Sequence, residues 1–191
     1  GAGTIETIAL ELGKAIKPLS TLLTPDIFEK LGVPLPQSIA NNAGIITKLN
    51  EAKTTLTDLP LNITELEAAI ASSNTDEIIL KGSDLIGIIT KLIPKLIELG
   101  TAVNAAATAL PVNVRNDLKA LADKMPLRIL EYCIVGYLGD NMPLLTRAMA
   151  LIGVIDKETI LPQGMVLNNP IPAIVPRRFY IEPIPKILSD P

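Results

Sequence analysis

Apolar residues recur at helical spacing in TDEIILKGSDLIGIITKLIPKLIELGTAVNAAATA, residues 75–109. Ile78, Leu85, Ile89, Leu92, Leu96, Leu99 and Val103 fall on one helix face, and Ile79, Ile86, Ile93 and Ile97 form a second row beside it. The charges Glu77, Lys81, Asp84, Lys91, Lys95 and Glu98 share one narrow stripe with the same period. A helix that is polar on one stripe has to be covered on its other sides, so this segment is expected at the centre of a bundle. Pro94 should bend it by removing a backbone donor, and Gly82, Gly87 and Gly100 should weaken it.

The same pattern predicts shorter helices on both sides. Ile5, Ile8, Leu12, Ile16, Leu19 and Leu23 make a stripe over 4–23, interrupted near Lys17 by Pro18. Thr24-Pro25-Asp26 reads as a helix start with Thr24 as N-cap, and Gly32 closes that short helix before the extended Val33-Pro34-Leu35-Pro36. Ser38 is the expected cap of a helix over 39–59 whose inward residues are Ile39, Ala43, Ile46, Leu49, Ala52 and Leu56, with Pro60 as its stop. Asn62 or Thr64 should open 63–72, where Thr64 and Glu67 have capping-box spacing, and Ser73-Asn74-Thr75 is the turn into the long helix. Beyond Pro111, Asn113 should cap a helix over 114–124, and Pro126 should open LRILEYCIVGYL, buried because almost wholly apolar. Gly139-Asp140-Asn141 then turns the chain into a partner helix over 144–152.

These elements predict an all-α fold, a bundle of about seven to nine helices around one long, Pro-bent helix. Residues 1–160 form the bundle, and 161–191 an extended tail or a linker to a following domain. Pro162, Pro170, Pro172, Pro176, Pro183, Pro185 and Pro191 exclude helix interiors from that tail. The expected core contains Ile8, Leu12, Ile46, Leu49, Leu85, Ile89, Leu92, Leu96, Leu118, Leu121, Ile129, Tyr132, Cys133 and Leu151.

Composition sharpens this picture. Apolar residues make up 48% of the 191, but aromatics only 3% with no Trp, so Leu, Ile, Val and Ala must build the core. The net charge of −3 comes from interspersed signs, which leaves no clustered basic face for nucleic acid. The start Gly1-Ala2-Gly3 lacks a Met and reads as a cloning or cleavage scar, so the chain is expected to be a piece of a longer protein.

Chemistry is sparse. The absence of His removes the commonest general base and metal ligand together with every Ser-His or Cys-His pairing. Cys133, between Tyr132 and Ile134, reads as a small buried core thiol. Glu65 and Glu67 lie on different faces, and Asp76-Glu77 suits the positive end of a helix dipole. Glu131 is the acid that merits inspection, with Arg128 or Arg147 as its ion-pair partner. Asn62-Ile63-Thr64 fits the glycosylation pattern but overlaps a helix start, and Arg177-Arg178 is too short for an anion site. No catalytic, cofactor-binding or metal-binding residue is assigned, no cofactor is expected, and the protein is expected not to be an enzyme. The charge-free run 99–114 falls short of the ~18–20 residues that a membrane span needs. A bundle whose residues 85–110 open onto lipid is therefore the alternative to the favoured reading.

The run MPLRILEYCIVGYLGDNMPLLTRAMALIGVID, with the tail RRFYIEPIPKILSDP, resembles the helical N-terminal region of very large bacterial proteins of unknown function. The likeness lies in the spacing of Leu130, Tyr132, Tyr137, Leu138, Leu151 and Gly153, and in the closing Asp190-Pro191. It implies a non-catalytic leading domain ahead of a β-rich body and carries no active-site residues. The functional expectation is a structural or interaction module whose partner is another protein or the remainder of its own chain. Nucleic acid is not expected as a partner, and membrane is possible but not favoured.

Overall fold

A computed structural model describes residues 5–138. Among the described residues there are nine helices and no strand. The longest, α7 (Thr75–Ala107), runs for 33 residues and carries Pro94 inside it. Around it pack α1 (Ile5–Ile16), α5 (Ala43–Thr54), α6 (Leu59–Ala71), α8 (Val112–Ala122) and α9 (Met125–Leu138). The short helices α2 (Leu19–Leu22), α3 (Ile27–Lys30) and α4 (Gln37–Ala40) carry the chain from α1 round to α5. The all-α bundle around a long central helix is thus the observed architecture. The expected hairpin helix over 144–152, the tail over 161–191 and Leu151 lie outside the described residues.

Local sequence chemistry sets the breaks. Pro18 stands two residues after Ile16, the last residue of α1, and Gly32 ends the α3 turn with φ +95°. Asn42 caps α5, its side-chain oxygen accepting from the Ile45 N–H at 3.1 Å, and Asn74 caps α7 by accepting from the Glu77 N–H at 3.2 Å. Asp76 and Glu77 sit in the first turn of α7, where the helix dipole favours negative charge.

Several boundaries differ from the sequence expectation. The helix expected over 39–59 is two helices, because Asn42 takes the cap and the chain breaks at Asn41-Asn42; Ser38 lies inside α4 instead. The break rotates α5, so Ile45 is buried while Ile46 is half-buried and Ala43 exposed. Pro60 does not stop a helix but lies in the first turn of α6, where its missing N–H costs nothing. Asn62 and Thr64 are therefore interior positions, and the Thr64 hydroxyl donates to the Pro60 carbonyl rather than capping. Thr24 contributes its carbonyl, not its side chain, to the start of α3. Asn113 is likewise internal to α8, which begins at Val112 after Pro111.

The core is the aliphatic one that the composition requires. Leu12, Leu85, Ile89, Leu92, Leu96, Leu118 and Ile129 are fully buried, and Ile8, Leu49, Leu121 and Cys133 are buried with them. Tyr132 is only half-buried, since a phenol keeps its polar end near water. Gly100 is not a weak point but a contact: a Cβ there would run into the Ala122 carbonyl oxygen, so its absence lets α8 and α9 close on α7. Gly82 does the same for α1, whose Glu6 side chain occupies the space a Cβ would take.

Candidate functional site

The three faces of α7 have different fates. Its buried face holds Leu85, Ile89, Leu92, Leu96, Leu99 and Val103, all fully buried against the surrounding helices. Part of the charged stripe, Lys81, Lys95 and Glu98, is used to tie α7 to its neighbours. Lys48 of α5 lies 3.1 Å from both Glu51 and Glu98, and Lys95 lies 3.7 Å from the same two carboxylates, which ties α5 to α7. Lys81 reaches Glu65 of α6 at 3.2 Å. Hydrogen bonds that it donates to Glu98 and Glu51 raise the Lys48 ammonium above the ordinary lysine range, and Lys48 in turn holds the Glu98 carboxyl below its ordinary range.

The third face corrects the sequence reading. The row Ile79, Ile86, Ile93 and Ile97 was expected to be covered; Ile79 and Ile97 are instead 56% and 54% exposed, and Ile86 and Ile93 half-buried at the core's edge. Ser83 and Thr90 continue this row, both exposed, so from 79 to 97 it carries no charge. Leu80, exposed, and the open Gly87 and exposed Pro94 border it on one side, with Asp84 and Lys91 exposed beyond them. The stripe's period was legible; which apolar row the neighbours would cover was not. The row runs along the longest helix without a charge, its isoleucines separated by Ser83 and Thr90.

Glu131 is 1% exposed, and Arg128 pairs with it at 3.0 Å within α9. This is an i,i+3 ion pair within one helix. Arg147, the other partner considered, lies outside the described residues. Cys133 is buried, and desolvation pushes its thiol up to about 12, so it is no nucleophile. Glu65 and Glu67 go to different lysines, Lys81 and Lys14, the latter pair closing α1 onto α6 at 2.8 Å. Among the described residues no group of three or more carboxylates or thiols could hold a metal ion. Among them, too, no helix is long and apolar enough to cross a membrane. Arg177-Arg178 lies outside the described residues.

No family model, curated protein or solved structure matches the chain. The resemblance of residues 125–156 and 177–191 to large bacterial proteins rests on those residues alone.

Proposed function

We propose that this chain is a non-catalytic helical module that docks a protein partner through the uncovered face of α7. The observation that carries the reading is the uncharged row of Ile79, Ser83, Ile86, Thr90, Ile93 and Ile97, which the described residues leave open or half-open beside the buried face of the same helix. A rigid helix that offers isoleucines at three- and four-residue steps is half of a helix–helix interface. The lack of His is consistent with binding rather than catalysis.

A photoreactive side chain at position 97 tests the reading in cells that make the protein. It is expected to give a polypeptide adduct, with none from position 53 on α5. Flotation with neutral and anionic vesicles is the second arm. Failure of position 97 to cross-link to any polypeptide, together with flotation that Ile97→Lys abolishes, would replace the docking module with the lipid-binding alternative.

A further inference from the structure

We draw no further inference here: the strongest candidate, the uncharged surface row from Ile79 to Ile97 on the open face of α7, belongs to the docking surface already described, and nothing in the structure shows which occupant covers it.

Discussion

Leu96 and Ile97 are consecutive residues of α7 with near-identical side chains, yet Leu96 is fully buried and Ile97 is 54% exposed. The contrast extends along the helix. Leu85, Ile89, Leu92, Leu96 and Leu99 meet neighbours at every turn, while Ile79, Ile86, Ile93 and Ile97 stand open or half-open one step round the cylinder. Apolar character therefore reports that a face can be buried, not that the described residues bury it. The two faces differ in their surroundings: the buried one is met by helices admitted closely through Gly82 and Gly100, the open one borders Gly87, beside which there is nothing to meet.

The largest way to break the comparison is to truncate one residue on each face. Leu92→Ala should cost about 2–5 kcal/mol in chemical denaturation, the loss of buried methyls plus the cavity left behind. Ile97→Ala, measured on dilute protein, should stay within about 0.5 kcal/mol of the parent. Equal losses at both sites would mean that the open face is covered.

The glycines sharpen it next. Gly100→Ala has to displace the Ala122 backbone and should cost about 1–3 kcal/mol. Gly87→Ala meets nothing within 4 Å and should gain up to about 1 kcal/mol through helix propensity alone. Thermal melts of the two variants that shifted in the same direction would contradict the packing described.

Smaller effects come from the edges of the helices. Asn42→Ala removes the α5 cap and should cost about 1 kcal/mol, whereas Ser38→Ala, within α4, should cost less. The seam between α5 and α7 responds to pH. Glu98 titrates below its ordinary range when folded, so its contribution is present above the unfolded carboxylate range and is lost as pH falls through the folded value. Lys48 titrates above its ordinary range, so its contribution is present below the unfolded lysine value and is lost as pH rises through the folded one. Both groups are exposed and solvent-screened, so Lys48→Met should slightly flatten the fall in Tm at the acid end and otherwise leave the melt unchanged.

Much of the fold could be read from the order of residues. The seven-residue return of Leu85, Leu92 and Leu99 marks α7, and proline and glycine at 18, 32 and 111 mark breaks. What was misread turns on competition between caps. Ser38 and Asn42 are equally good cap residues, and only the packing of Ile45 and Leu49 decides for Asn42. Pro60 reads as a stop or as a first-turn proline, depending on whether the following residues are buried; Ile63 and Leu66 are. The open face was visible as a row of isoleucines, but its exposure depends on where α1, α5 and α9 come to rest, which no local pattern encodes.

Thiol labelling of Leu96→Cys and Ile97→Cys, followed across a dilution series of the folded protein, tests the two-faced helix most directly. Cysteine at 96 should stay protected at every concentration, with labelling limited by unfolding. Cysteine at 97 should label like a free thiol in dilute protein. Equal labelling rates at the two positions, or protection of position 97 at every dilution, would contradict an α7 that is covered on one face and open on the next.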